Sequence, residues 1–192
     1  TPAPRNRVDT IVFGALAQQH VTPAPLASDA VFLRRVYIDV TGTIPTAAEA
    51  AAFLTDSNPG KRQVLIDRLL SREAFADYWA MKWSDSLRVK SEFPINLWPN
   101  AVQAYYQWIH AAIRNNVPYD TFARTLLTAS GSNFRVGPAN FYRAVQSREP
   151  RAIASAVALT FMGQRTANWP ASRLASTTAF FSEIGYKPTG EW

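Results

Sequence analysis

Proline and glycine cut this chain into pieces about one helix long, and that punctuation limits its possible folds more than any other feature. Each of the 13 prolines removes a backbone donor and crowds the preceding turn, so a helix breaks or kinks there. Between the breaks, apolar residues recur at spacings of three and four, the period of a helix with one buried face. The spacing predicts a first helix from about Val8 to His20, capped by Asn6, with Val8, Ile11, Val12, Ala15 and Leu16 on one face. Val21-Thr22-Pro23-Ala24-Pro25 ends it. A second helix starts after Ser28, carries Val31, Phe32, Arg35, Val36 and Tyr37, and stops at Thr41-Gly42-Thr43-Ile44-Pro45. Thr46-Ala47-Ala48-Glu49 has the form of a capping box, in which hydroxyl and carboxylate each take an otherwise unpaired amide. Asn58-Pro59-Gly60 is a turn before a helix with Val64, Leu65, Arg68, Leu69 and Leu70.

The segment Ser71 to Lys90 carries the clearest amphipathic pattern. On a helical wheel Phe75, Trp79, Trp83 and Leu87 share about a third of the circumference, with Glu73, Asp77, Asp85 and Arg88 opposite. A helix follows Pro99, with Val102, Tyr105, Tyr106, Ile109 and Ile113, and Asn115-Asn116-Val117-Pro118 closes it. Asp120 is expected to cap a short helix through Leu127, residues 130–140 read as a loop, Glu149-Pro150 opens another helix, and the last runs from about Ala171 to Ile184. No strand-length alternation and no Asn-Gly or Asp-Gly hairpin appears. The expected fold is all-α: a single domain of about eight packed helices over residues 8–186, with no significant sheet. Residues 1–7 read as a tail or linker, and 187–192 as a tail leading to a further region.

Composition narrows the function classes. With 47% apolar and 12% aromatic residues, the chain has too much surface to bury to stay disordered. The longest apolar run, Ala152 to Met162, is 11 residues and is interrupted by Ser155 and Thr160, whereas a membrane span needs about 20. Thr1-Pro2-Ala3-Pro4-Arg5 has no apolar core of the kind an export signal carries. The cysteine count is zero, which excludes disulfides, thiolate zinc sites, cysteine nucleophiles and covalent c-type haem. The net charge is +6, from 20 basic and 14 acidic residues, and 16 of the basic residues are Arg. Arg pairs bidentately with carboxylate or phosphate and stacks on aromatic rings. The arginines are scattered singly apart from Arg34-Arg35, which argues against nucleic acid as the partner.

Few residues are placed for chemistry. His20 and His110 are the only histidines; no pair sits at i,i+4 and no Glu-x-x-His occurs, so the usual helical metal motifs are missing. Glu73 and Asp77 put two carboxylates on one helix face. They suit a general acid–base pair or a hard cation, or form a solvated face on which Arg88 partners Asp85 at i,i+3. Phe75, Trp79, Trp83, Tyr105, Tyr106 and Trp108 form either a core stripe or a sugar-stacking platform. Trp98, in the loop Ser91–Pro99 with Phe93, is a binding candidate.

The run Phe32-Leu33-Arg34-Arg35-Val36-Tyr37-Ile38-Asp39-Val40-Thr41-Gly42-Thr43-Ile44-Pro45-Thr46 resembles the opening signature of the bacterial domain-of-unknown-function family 1549, planctomycete-type proteins associated with cytochromes. Trp83-Ser84-Asp85-Ser86-Leu87-Arg88 and Asn116-Val117-Pro118-Tyr119-Asp120-Thr121-Phe122 resemble later elements of that family in order. Many relatives place Cys-x-x-Cys-His after the Phe-Leu/Met-Gly that ends the penultimate helix. Here Phe161-Met162-Gly163 is followed by Gln164-Arg165-Thr166-Ala167-Asn168-Trp169-Pro170, which implies a haem-free branch, and no cofactor is expected. The resemblance further implies export to the periplasm or cell surface and a larger parent polypeptide. It implies no reaction.

Three functions follow as expectations. The first is a non-catalytic module that binds a neighbour, such as a c-type cytochrome, another domain of the parent or an anionic polysaccharide. Its signature residues are Arg34, Arg35, Asp39, Trp83, Asp85, Arg88 and Asp120, with Trp98, Arg143 and Arg165 as ligand contacts. Asp39 and Asp85 are expected to pair with buried arginines as structural clamps. The second is a carboxylate-based polysaccharide hydrolase, whose acids must flank a cleft. The third is anionic-polymer binding through Arg135, Arg143, Arg148, Arg151, Arg165 and Arg173 in the basic final third.

Overall fold

A computed structural model describes residues 3–92 and 97–187. Phe93 and the tail residues 188–192 lie outside the described residues. Among the described residues the chain forms ten α-helices and two single-turn 3-10 segments, with no strand. Its contacts divide it into two compact units, Thr1–Arg68 and Leu69–Trp192.

The first unit holds α1 (Arg7–Gln18), α2 (Asp29–Thr41), α3 (Ala47–Thr55) and most of α4 (Lys61–Leu70). Side-chain caps set three of its helix starts. Asn6 accepts from the Asp9 amide and Ser28 from the Val31 amide. Thr46 and Glu49 form the complete capping box, which satisfies two amides that a helix end otherwise leaves open. Gly42, in the left-handed region at φ 68°, ends α2. Leu33, Val36, Tyr37 and Thr41 are the buried residues of α2, whereas α1 buries none of its apolar stripe. Asp29 is held by Lys61 at 2.8 Å and Arg62 at 2.7 Å. Those hydrogen bonds hold its carboxyl below the usual range, so their contribution is present above that range and fades as pH falls through it. Arg62 also lies over the Phe32 ring, which stacks on Phe53.

The second unit holds α5 (Glu73–Ser86), α6 (Pro99–Arg114), α7 (Tyr119–Thr128), α8 (Asn140–Ala144), α9 (Pro150–Met162) and α10 (Ala171–Ala179). Helix α5 packs along α6, and α10 along α9. The core includes Leu87, Tyr105, Ile109, Leu126, Phe141 and Ile153, each less than 2% exposed. Full burial of one such aliphatic side chain is worth about 1.5–3 kcal/mol. The buried line on α5 runs through Ala76 and Ala80, one position along from the large residues of the expected stripe. Small side chains allow closer approach of α6, and Trp79 and Trp83 are half-buried at the sides. Trp83 packs its ring 5.1 Å from Phe122.

Several boundaries differ from expectation for local reasons. Helix α5 stops at Ser86, and Arg88 adopts a left-handed φ of 60° while the Val89 amide closes onto the Ser84 carbonyl. Asp120 does not cap α7: the cap position is Pro118, and Asp120 sits in the first turn, where its charge favours the helix dipole. Helix α10 ends at Ala179, five residues early. Thr177, Thr178 and Ser182 hydroxyls bond to carbonyls three or four residues back, the side-chain competition that weakens a helix end.

The stretch 130–140, read as plain loop, carries the 3-10 turn Gly137–Ala139 and leads directly into α8. Gly137 is pressed onto α6. A β-carbon there would stand 2.5 Å from the Ala104 carbonyl oxygen and 2.8 Å from the Trp108 β-carbon, and neither is a flexible side-chain end. Gly137→Ala is therefore expected to cost about 1–3 kcal/mol by overpacking, read as a lower midpoint in chemical denaturation. Unchanged stability would mean that the turn does not seat against α6 in solution.

Candidate functional site

Two groups of polar side chains in the second unit have the makings of a site. The first lies across α5 and α6. Glu73 and Asp77 stand one turn apart on α5, and His110 and Arg114 one turn apart on α6. Matched spacing pairs them: His110 Nε2 lies 3.0 Å from Asp77 and 3.5 Å from Glu73, and Arg114 Nε lies 3.3 Å from Glu73. One donor atom from each of Glu73, Asp77 and His110 falls within 4.8 Å of the others, a set able to hold a divalent cation. His110 and Arg114 already partner both acids, so the network stands without an ion. Glu73, Asp77 and Asp85 are all exposed, unlike acid–base carboxyls flanking an enclosed cleft. Exposed pairs of this kind contribute little, so His110→Ala is expected to cost at most about 1 kcal/mol in thermal or chemical unfolding. A larger loss would make the network a structural clamp.

The second group surrounds an open cleft of about 1210 Å³. Its walls come from the end of α7, the loop 129–133, α8 and the segment after α10. Arg143 and Lys187 line it with one acidic residue, Glu183. Arg148 lies 4.6 Å from the centre of the Tyr186 ring, which forms part of the wall. Phe180, 84% exposed, stands at the rim. The Tyr142 hydroxyl donates to the Leu127 carbonyl at 2.8 Å, and the Tyr186 hydroxyl donates to the Tyr142 carbonyl at 3.2 Å.

Asn133 lies in the wall and is 3% exposed, yet its Oδ1 has no hydrogen-bond partner. The Asn133 carbonyl accepts from Asn140 Nδ2 at 2.8 Å. That same Nδ2 faces the Gly137 carbonyl at 3.1 Å and the Ala101 carbonyl of α6 at 3.3 Å. Asn140, fully buried, thereby ties the loop to both the 3-10 turn and α6.

Burial pushes the Tyr142 hydroxyl up to about 12, reinforced by Tyr186. Burial also raises Tyr186, against the opposing pull of Arg148 and Arg143. For a raised tyrosine, stability is intact below the unfolded value of about 10 and is lost as pH rises through the folded one. Stability is therefore expected to fall between pH 10 and about 12, with Tyr142→Phe flattening that fall. Tyrosinate absorbance that develops entirely near pH 10 would contradict the buried placement.

The sequence-derived candidates are distributed unevenly. Arg34, Arg35 and Asp39 are all exposed on α2, so the expected clamp on buried arginines does not form there; the clamped aspartate of that unit is Asp29. Asp85 is exposed and no ion pair joins it to Arg88 among the described residues, because α5 has ended between them. Trp83 belongs to the aromatic packing with Tyr119 and Phe122. Trp98 is 59% exposed at the start of α6. Of the basic candidates, Arg143 lines the cleft and Arg148 covers its wall, whereas Arg173 stacks on Trp169 at 3.9 Å. Arg165 is exposed in the segment before α10.

Residues missed in the sequence are Asn133, Asn140 and Tyr186. Asparagine in a Gly- and Pro-bearing loop is ordinary turn chemistry, and nothing local marks it as buried. The crossing of Glu73 and Asp77 with His110 and Arg114 did leave a signal: opposite charges at the same four-residue spacing on consecutive helices.

A family model named PSCyt2, described as a protein of unknown function (DUF1549), matches residues 7–179. The chain belongs to that family. No curated protein and no solved structure matches it. The DUF1549 match spans both units and stops before Tyr186 and Lys187, so the final wall of the cleft lies beyond the matched region. No helix among the described residues is long and apolar enough to cross a membrane.

Proposed function

We propose that this DUF1549 chain is a non-catalytic binding module that takes an anionic ligand in the cleft around Arg143. The observation that carries the reading is the gathering of Arg143, Arg148 and Lys187 about the Tyr186 wall, with Glu183 as the one acidic lining residue. Arginines in a concave site recognise carboxylate, sulfate or phosphate by charge-assisted hydrogen bonds. The module's place in a larger, exported, cytochrome-associated protein rests on the family resemblance and the family's name. The hydrolase reading has no comparable support, since its acids are exposed and two of them are ion-paired.

The test is calorimetric titration of the purified chain with carboxylated polysaccharide, sulfated polysaccharide and short duplex DNA, at low and high salt. At least one anionic polysaccharide is expected to bind, more weakly as salt rises, and Arg143→Ala is expected to lower its affinity about tenfold or more while circular dichroism stays unchanged. Absence of binding by every anion, or full affinity in folded Arg143→Ala, would sink the proposal. Binding of DNA alone would replace it with a nucleic-acid interface.

A further inference from the structure

We infer that α5 and α6 together form a zinc site, with Glu73 Oε1, Asp77 Oδ1 and His110 Nε2 as its protein donors. It lies on other elements than the cleft around Arg143 and stands or falls without it. The donor separations match the ion. Zinc bonds to nitrogen and oxygen of about 2.0–2.1 Å place neighbouring donors of a tetrahedron about 3.3–3.4 Å apart. His110 Nε2 stands 3.0 Å from Asp77 Oδ1 and 3.5 Å from Glu73 Oε1, on either side of that spacing. All three donors fall within 4.8 Å of one another, and both carboxylates are exposed and free to rotate toward a shared ion.

Hydrogen bonding alone leaves this arrangement short of positive charge. Nε2 carries one proton at most and can donate it to a single oxygen, yet it faces an oxygen of each acid. Arg114 answers the other oxygen of Glu73: its Nε lies 3.3 Å from Oε2, which keeps Oε1 turned toward the imidazole. A charged neighbour that orients a liganding carboxylate in this way supports a metal without occupying its place. The helices beneath are fixed by close packing. Ala76 and Ala80 of α5 and Ile109 and Ala112 of α6 are buried, and the imidazole itself is only 20% exposed. Ligands mounted on packed helices lose little freedom when an ion arrives. The imidazole nitrogen selects the metal, because calcium and magnesium take oxygen donors whereas zinc accepts mixed nitrogen and oxygen. Zinc takes the Nε2 lone pair, so the ring proton moves to Nδ1 by exchange with water and the imidazole stays neutral. Three protein donors leave a fourth position for water.

The experiment titrates the whole chain, and its His20→Asn form, calorimetrically with zinc, calcium and magnesium chlorides in a non-chelating buffer. One zinc ion per chain is expected to bind, about tenfold or more tighter than calcium or magnesium, and equally well without His20. His110→Ala, Glu73→Gln and Asp77→Asn are each expected to weaken zinc about tenfold or more, with circular dichroism unchanged because exposed pairs contribute little to stability. Asp77 and His110 are 33 residues apart, so the folded chain alone assembles the site and saturating zinc is expected to raise the melting temperature. Should a variant fail to fold, 15N NMR of the unaltered chain decides: the His110 Nε2 resonance must move when zinc is added. Calcium or magnesium binding as tightly as zinc would put the ion on carboxylates alone and overturn the inference. Full zinc affinity in folded His110→Ala, an Nε2 resonance unmoved by zinc, or no binding up to roughly 0.1 mM zinc would overturn it equally.

Discussion

The second unit turns on the seating of a three-residue turn against a helix. Gly137 lies so close to α6 that a methyl group has no room beside the Ala104 carbonyl, and the amide of Asn140 faces three carbonyls from three different segments. A loop cannot be buried unless its backbone polar groups find partners. Here the Asn140 amide serves the Asn133 carbonyl, and the Arg135 and Val136 amides serve the Ser132 carbonyl, so the loop 129–133 is held as a wall. The cleft follows from that wall.

Charge is used in two different ways. On α2 and α4, Asp29 is gripped by Lys61 and Arg62 within one unit, and on α5 and α6 two acids meet His110 and Arg114. In both places opposite charges close on each other and leave little for an anionic ligand. Around Tyr186 the cations are not answered by equal acid. Arg148 lies on an aromatic face, where a guanidinium is stabilised while its donors stay available. Unequal charge in a concave place, rather than the total of +6, distinguishes this region from the rest of the basic surface.

The helical content was legible because it depends on neighbours in sequence. Asn6, Ser28 and the Thr46–Glu49 box cap the helices that follow them, and Pro99 and Pro150 open α6 and α9. The errors arose where a partner far away in sequence decides. Of the stripe Phe75, Trp79, Trp83 and Leu87, Leu87 is fully buried and Trp83 packs against the core, but within α5 the residues presented inward are Ala76 and Ala80, because close packing against α6 rewards small residues. Helix α1 shows the converse: its apolar spacing announces a helix without saying that anything covers it.

The sequence by itself determined an all-helical chain without cysteine chemistry, its family, and the excess of arginine in its final third. Those properties are local or additive, so each residue contributes without knowing where the others lie. Only the tertiary structure decided which arginine matters. Arg143, Arg148 and Arg173 are equivalent as letters, but one lines a cleft, one caps a tyrosine in its wall and one stacks on a tryptophan elsewhere. It also decided that Asn133, an ordinary turn residue in the sequence, is a buried acceptor without a donor. Burial and partnership are properties of the packed chain, and they convert a common side chain into one with an unmet requirement.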